Sequence, residues 1–313
     1  MVRFFVAPHD VSGGMIRLSA EDAEHIRSLR LRPSELFIVC DGEGTDYICR
    51  LGERGDGSAA GIVEQRQSRG EPSVACSVFI AYAKGDRLEY AVQKSVELGA
   101  FDIVLYPSER CISVPRDIDK KALRLQKIAL ETAKQCGRGR VPVVSVAGSF
   151  RDAVGWASGK LKVESGKLKV ESGGAKTESG KKKVDNGDSK AESGDPILCG
   201  ETIGSLSIFC YEEEKKKSLK QALEMHDFTY STAVGGGGDN EDGKQGEGGG
   251  SAEPGVANRI SIMTGSEGGF APDEAKLATA AGMTPVSLGP RILRCETAPV
   301  AALAAVMFHT GNM

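Results

Sequence analysis

The sequence predicts an α/β domain on a mostly parallel sheet, preceded by a small β-rich module. From Pro72 onward, apolar runs alternate with amphipathic helical stretches, the pattern of strands joined by crossover helices. The first 70 or so residues instead carry short strand-like runs separated by turns. Two low-complexity stretches interrupt the second part, and the alternation resumes after each of them.

In the N-terminal part, FFV, ELFIVCDGEGTDYICRL and AAGIVE read as strands, with Asp41, Gly42 and Gly44 forming a hairpin turn between apolar runs. SAEDAEHIRSLRL reads as a helix that Ser19 caps, with Asp22 three residues on. VACSVFIAYA is a continuous apolar run, as a buried strand requires. DRLEYAVQKSVELGA sets Leu88, Ala91, Val92, Ser95 and Leu98 on one helical face and closes at Gly99. DIVLYP is a second buried strand, and DKKALRLQKIALETAKQCG a second amphipathic helix ending at Gly137.

Read in sevens from Lys160, the chain runs KLKVESG, KLKVESG, GAKTESG, KKKVDNG, DSKAESG. A glycine in every heptad and the lack of paired apolar positions exclude a coiled-coil seam, so residues 157–196 are expected to be a solvated insertion. SLSIFCYEE then reads as a strand, and EEEKKKSLKQALEM as a helix with Glu212/Lys216 and Glu213/Lys217 in the favourable i, i+4 order. A Gly-rich acidic stretch makes residues 232–256 a second insertion, of a kind that surface loops tolerate. RISIMTGSEGGF, PDEAKLATAAG, PVSLG and a final apolar helix complete the strand and helix series. The expected domains are residues 1–71 and 72–313.

A net charge of -3 gives no global basic signature of nucleic-acid binding, although an acidic insert can mask a basic patch. The eight cysteines form no C-x-x-C pair and have no histidine at zinc-ligand spacing, so reduced thiols and no metal are expected. No long apolar run and no signal-peptide pattern occur, and a soluble, cytoplasmic protein with no membrane partner is the expectation.

Two stretches fall at the C-terminal ends of expected strands, where open α/β sheets bind ligands. In TGSEGGFAPDE, Gly265, Gly268 and Gly269 let the backbone bend sharply and approach a ligand, and Pro272, Asp273 and Glu274 suit the first turn of a helix. It is neither a dinucleotide fingerprint nor a phosphate-binding lysine loop, and Glu267 inside it disfavours phosphate. In LGPRILRCETAPVAALAAVMF, Gly289 and Pro290 force a turn, and Arg291 and Arg294 can face one cleft or pair with Glu296. The apolar helix that follows has to be covered, so the charged loop feeding it lies against a ligand or a second subunit.

These stretches resemble a known family. TGSEGGFAPDE resembles the G-P-E-G-G-F loop, and LGPRILRCETAPVAAL the L-G-x-R-I-L-R-x-E-T-A loop, of the RsmE-type 16S ribosomal RNA uridine-N3 methyltransferases of the SPOUT superfamily. KGDRLEYAVQKSVELGAFDIVLYPSERC and LQKIALETAKQCGRGRVPVV are similar to two further family segments, in the same order, and MVRFFV and HIRSLRLRPSE to its PUA-like RNA-binding module. Ser266 stands where the family usually has proline and Cys295 where threonine is common, while Pro299 falls in the first turn of the last helix, where proline is tolerated.

The resemblance implies a trefoil-knot methyltransferase domain, an N-terminal PUA-like β-barrel, a homodimer, 16S ribosomal RNA as substrate and S-adenosylmethionine as cofactor. It places the cofactor in loops around Phe209 to Glu212, around Thr264, Gly265, Glu267, Gly268 and Gly269, and around Leu288, Gly289, Ile292, Leu293, Arg294 and Thr297. Arg294 and Arg110 are the candidates to stabilise the uracil anion; Glu267 or Glu296 could accept the N3 proton or orient those arginines. Arg3, Arg17, Arg27, Arg30, Arg32 and Arg138 are the candidate RNA contacts. Gln93, Lys94, Glu97, Glu131 and Gln135 stay open between interface and RNA roles, and His25 beside an apolar face reads as structural. The alternative readings are a catalytically inactive RNA-binding assembly factor of the same fold and a nucleotide-binding enzyme, for which YAKGDRLEY lacks a phosphate-cradling loop.

Overall fold

The computed structural model describes residues 1–52, 58–160, 205–226, 228 and 258–313. The heptad repeats after Lys160, Cys199 and the Gly-rich stretch lie outside the described residues. In the N-terminal module, β1 (Arg3–Phe5), β2 (Val11–Ser12), β3 (Met15–Arg17), β4 (Phe37–Cys40), β5 (Thr45–Leu51) and β6 (Ala59–Gln67) form one sheet in the order β1-β4-β5-β6-β3-β2. Its pairings are antiparallel except β1 with β4. The β4–β5 hairpin turns where the sequence expects it. Asp41 Oδ1 accepts the N–H groups of Glu43 and Thr45 at 2.8 and 3.0 Å, and Gly42 and Gly44 take positive φ. Helix α1 (Ala20–Leu29) is capped by Ser19, whose Oγ accepts the Asp22 N–H at 3.0 Å. Phe4, Ile16, Ile26, Phe37 and Val39 form the apolar core beneath.

Every strand pair in the second domain is parallel. Strands β7 (Ala75–Ala81), β8 (Asp102–Tyr106), β9 (Val143–Val146), β10 (Ser205–Cys210), β11 (Arg259–Thr264) and β12 (Thr284–Val286) run in the order β12-β10-β11-β7-β8-β9. Helices α2 (Arg87–Glu97), α3 (Ile118–Cys136), α4 (Phe150–Ala157), α5 (Leu219–Glu224), α6 (Pro272–Ala280) and α7 (Thr297–His309) supply the helical layers. One apolar cluster carries Val78, Ile80, Leu88, Val92, Leu125 and Leu303, and the other Phe79, Val104, Tyr106, Val154, Phe209 and Phe270. Alternating residues of the same strands enter different clusters, the signature of a parallel sheet buried on both faces.

The structure corrects the sequence reading in three places. Strand β9 and helix α4 were not expected. Helix α4, which Ser149 caps, reaches Ala157 and buries it, so the helical series continues up to the point, about 157, where the first insertion is expected to begin. EEEKKKSLKQALEM is not one helix. Its first part turns, with Glu214 Oε1 accepting the Lys216 and Lys217 N–H groups, and only Leu219–Glu224 is helical, behind the capping box of Ser218 and Gln221. The Glu212/Lys216 and Glu213/Lys217 pairs therefore do not stack on a helix face.

Two of the arginines expected to meet RNA are buried instead. Arg3 forms a bidentate pair with Asp46 at 2.7 and 3.0 Å and donates to the Arg138 carbonyl. Arg138 pairs bidentately with Glu71 at 2.6 and 3.1 Å and donates to the Ala100 and Val96 carbonyls; Glu71 also accepts the Gly139 and Arg140 N–H groups. These contacts join the N-terminal module to the α/β domain and leave neither guanidinium free for a phosphate. Burial pushes the Asp46 carboxyl up, but the hydrogen bonds from Arg3 and Cys40 and the charges of Arg3 and Arg66 outweigh it, and the net direction is down. A depressed folded-state value contributes stability above the unfolded carboxylate range of about 3.9, and this is lost as pH falls through the folded value. Asp46→Asn is therefore expected to flatten the acid limb of a urea midpoint-against-pH curve below about pH 4; an unchanged limb would contradict the assignment.

Candidate functional site

Parallel pairing brings the C-terminal ends of β7, β8, β10, β11 and β12 to one edge of the sheet, and the loops there interlock around the glycine turn 265–269. The turn closes between Ser266 and Gly269, with the Gly269 N–H donating to the Ser266 carbonyl at 3.0 Å. A serine serves this closure through its backbone, so the departure from proline at 266 leaves the turn intact. Glycine is required at two positions. A Cβ on Gly268 would stand 2.8 Å from Arg110 Cβ and 3.1 Å from the Arg110 carbonyl oxygen, and Gly269 has φ +67° with the Glu212 carboxylate where its Cβ would point.

Glu267 turns away from Arg110 and Arg294. Its Oε1 accepts the Lys84 N–H at 2.8 Å and Arg87 Nη1 at 3.1 Å, while Oε2 is buried without a partner. Burial pushes this carboxyl up, but the N–H groups of Lys84 and Glu267 itself and the charge and hydrogen bond of Arg87 bring the net shift down. A carboxylate held anionic in this way is a weak proton acceptor and a good anchor for a cation.

Glu274, on the first turn of α6, ties the β8 loop to the glycine turn. Its Oε1 accepts the Glu109 N–H at 2.8 Å, and its Oε2 accepts the Ala271 N–H at 2.9 Å and the Ser108 hydroxyl at 3.0 Å. Tyr106 donates its hydroxyl to the Thr264 carbonyl at 2.6 Å, and the Thr264 hydroxyl donates to the Phe79 carbonyl, so the Thr264 side chain faces the sheet and not the loops. Phe270 packs edge-on to Phe209 and Phe150 and forms an aromatic floor with Tyr211. Glu274→Ala strands three donors, two of them buried, and is expected to cost about 2–3 kcal/mol in a urea titration; a loss under about 0.5 kcal/mol would show that the network contributes little.

The β12 loop completes the edge. Gly289, with φ +110°, is held by the Ser287 hydroxyl, and Leu288 packs on the core. Arg291, Ile292, Arg294 and Thr297 are exposed, Leu293 is half-buried, and neither arginine is ion-paired with Glu296. Arg110 is also exposed and donates to the Gly268 carbonyl at 3.1 Å. The Cys295 thiol is pushed up to about 12, first by burial and then by its hydrogen bond to Glu296 and the charges of Glu267 and Glu296, against Arg87. That places the β12 loop beside Glu267 and Arg87. The edge thus unites the sequence-expected residues of three loops and adds Arg87 and Glu274. Arg87 lies in a quoted motif but carried no expected role, and Glu274 was read only as a helix-start residue.

Elsewhere, Arg17 is exposed and pairs with Asp10 at 2.7 Å, while Arg27, Arg30 and Arg32 lie exposed at and beyond the end of α1. Lys94 pairs with Glu97 on α2, Glu131 with Lys134 on α3, and His25 packs edge-on to Phe4.

Such a parallel α/β domain, with glycine and arginine loops gathered at one sheet edge and a small β module attached, has the build of a ligand-binding enzyme with a second contact surface. Residues 70–179 and 204–307 match the RNA methyltransferase domain family, and residues 18–64 match the RNA methyltransferase PUA domain. The chain belongs to the RNA methyltransferase family. It is 26% identical over 305 residues to the ribosomal RNA small subunit methyltransferase E of Synechocystis, across 97% of this chain and 76% of that one. It is 25% identical over 299 residues to the protein of that name from Bacillus subtilis, across 94% and 90%. In fold it is similar to the crystal structure of the Neisseria gonorrhoeae methyltransferase E bound to S-adenosylmethionine, with TM-score 0.62 and 24% identity over 98% of this chain and 97% of that one. A Legionella pneumophila structure with bound S-adenosylmethionine gives TM-score 0.62 at 20% identity, over 98% and 97%.

Proposed function

We propose that this protein transfers the methyl group of S-adenosylmethionine to N3 of a uridine in small-subunit ribosomal RNA. The observation that carries the reading is the interlocked glycine turn between the Arg110 and Arg294 loops, in a member of the RNA methyltransferase family. Relatives that share most of its length are named for small-subunit ribosomal RNA. The loops fit the cofactor: the buried Glu267 Oε2 lacks a partner and is an acceptor left for a ligand, at a glycine turn whose Gly268 and Gly269 pack closely against Arg110 and Glu212.

When bound, the cofactor would supply a sulfonium methyl as the electrophile for N3 of the uridine, whose proton has to be accepted by a base. The residues of this chain supply position and charge. Arg294, exposed and without a salt bridge among the described residues, stabilises the uracil oxygens as negative charge develops, and Arg110 holds the glycine turn and adds a second cation. Glu267 anchors Arg87 and the β7 loop, which leaves Glu296, at the head of α7 in the Arg294 loop, as the remaining candidate proton acceptor. Arg17, Arg27, Arg30 and Arg32 contact RNA phosphates, with the N-terminal sheet closing as a PUA-like barrel.

The knot reading is supported by strand order. Strand β12 pairs with β10 rather than with β11, and the chain then returns as α7 onto β7, β11 and α2. A homodimer is supported by the apolar surface that α7 and its neighbours leave uncovered, Phe308 being 76% and Ile292 89% exposed. Among the described residues no helix is long and apolar enough to cross a membrane, and ribosomal RNA as substrate implies the cytoplasm.

Arg294→Ala is expected to lower kcat by about a hundredfold or more while the S-adenosylmethionine Kd changes only a few-fold. Methyl transfer that survives undiminished would remove Arg294 from the chemistry.

A further inference from the structure

The stretch EEEKKKSLK, residues 212–220, is nearly neutral in sequence, yet the structure sorts its charges. Glu212 lies over Gly269, Glu213 accepts the Tyr211 hydroxyl at 3.0 Å, and Glu214 turns back onto the Lys216 and Lys217 N–H groups at 2.5 and 3.1 Å. The hydrogen bonds to its backbone N–H groups hold Glu214 below its usual range, with burial opposing, so it stays anionic. Glu213 and Glu214 are thereby engaged in the loop, while Lys215 and Lys216 are exposed, Lys217 is half-buried, and none of the three lysines is ion-paired among the described residues. Lys220 beyond them pairs loosely with Glu224 at 3.6 Å.

Lys216 and Lys217 form one wall of an open groove of about 430 Å³, which Gln221, Glu224 and the 77% exposed Met225 complete. The groove is fixed to the reactive edge. The Ser287 N–H donates to the Lys217 carbonyl at 2.9 Å and the Leu219 N–H to the Ser287 carbonyl at 3.0 Å, and Ser287 leads directly into the Arg291–Arg294 loop. Lysines without a salt-bridge partner among the described residues, beside an apolar side chain and an amide, suit a single-stranded polyanion, with phosphates on the lysines and a base face on Met225.

We propose that Lys216 and Lys217, with the exposed Lys215 beside them, make an RNA-docking groove of the α/β domain itself, which holds the backbone of the strand next to the target uridine. This rests on the RNA methyltransferase reading above. The groove would set the register of the strand at the Arg294 loop, while the N-terminal module grips RNA farther away. It also gives the acid–base run a purpose. Glu214 braces the loop through backbone contacts and the lysines are left for the ligand.

The test is a salt titration of the full chain with a single-stranded RNA oligonucleotide from the small subunit, comparing wild type with Lys215→Ala/Lys216→Ala/Lys217→Ala. The bracing bonds of Glu214 are to the backbone, so the variant keeps the loop, and unchanged S-adenosylmethionine binding verifies this. Loss of three phosphate contacts lowers the slope of log K against log salt by about 2 and weakens binding about tenfold at low salt. Turnover shows KM for RNA up about tenfold with kcat within about twofold. A Lys216→Glu substitution weakens RNA binding more than Lys216→Ala. Wild type and triple variant binding RNA with the same slope and KM would overturn the groove and leave the methyltransferase reading standing. A wild type that binds S-adenosylmethionine but no RNA would overturn both.

Discussion

Gly269→Val abolishes S-adenosylmethionine binding in a calorimetric titration, while the protein remains folded. Gly269 holds φ +67°, which a β-branched residue adopts only at about 1–3 kcal/mol of strain, and its Cβ would fall on the Glu212 carboxylate. Glu212 is the mobile end of a side chain and can swing away; the backbone cannot, because the turn is closed at both ends by Ser266 and Gly269. Relief therefore has to come from the turn itself, which loses its contact with the Arg110 loop. Adding Glu212→Ala to Gly269→Val does not restore binding, since strain rather than contact is at fault. Binding within about tenfold of wild type in either variant would show that the glycine turn does not shape the cofactor site.

Arg138→Met destabilises the protein by about 3–5 kcal/mol and leaves the salt slope of RNA binding unchanged. The guanidinium is 2% exposed and serves Glu71, Ala100 and Val96 together. Its loss takes the charged donor from Glu71, which keeps only the Gly139 and Arg140 N–H groups, and one donor each from the Ala100 and Val96 carbonyls. Replacing both partners, as Glu71→Gln/Arg138→Met, recovers part of the loss, because the cost of breaking a buried pair is largely that of the partner left behind. A change in the salt slope would mean that Arg138 reaches RNA after all.

Most of the strand and helix series was legible because it is written in period and punctuation. Continuous apolar runs mark strands buried on both faces, and Ser19, Gly99 and Gly137 mark helix ends that the structure keeps. The failures have physical causes. Glu212 to Lys217 carry ideal helical charge spacing, but the turn after β10 sets their backbone: Glu214 accepts the Lys216 and Lys217 N–H groups and the Lys217 carbonyl accepts the Ser287 N–H, which outweighs a few tenths of a kcal/mol from each ion pair. Helix α4 escaped notice because it is short and runs straight into the low-complexity stretch.

The site was legible as loops and less so as roles. Glycines and arginines at strand ends pointed to the edge, since those residues have no other reason to gather there. Partner choice was not legible. Glu267 engages Arg87, some 180 positions away, rather than the nearby Arg294 loop, and Arg3 and Arg138 looked like surface cations because pairing with Asp46 and Glu71 appears only after folding. An arginine read from sequence is a charge; only its burial decides whether it faces phosphate or carboxylate.

The most direct test is to incubate the purified protein with small ribosomal subunits and S-adenosylmethionine labelled in the methyl group, then digest the RNA and identify the labelled nucleoside by mass spectrometry. The expected result is a single labelled product, N3-methyluridine, absent with Gly269→Val and strongly reduced with Arg294→Ala. Label on another base or ring position, or none with a protein that binds the cofactor, would contradict uridine-N3 methylation as its activity.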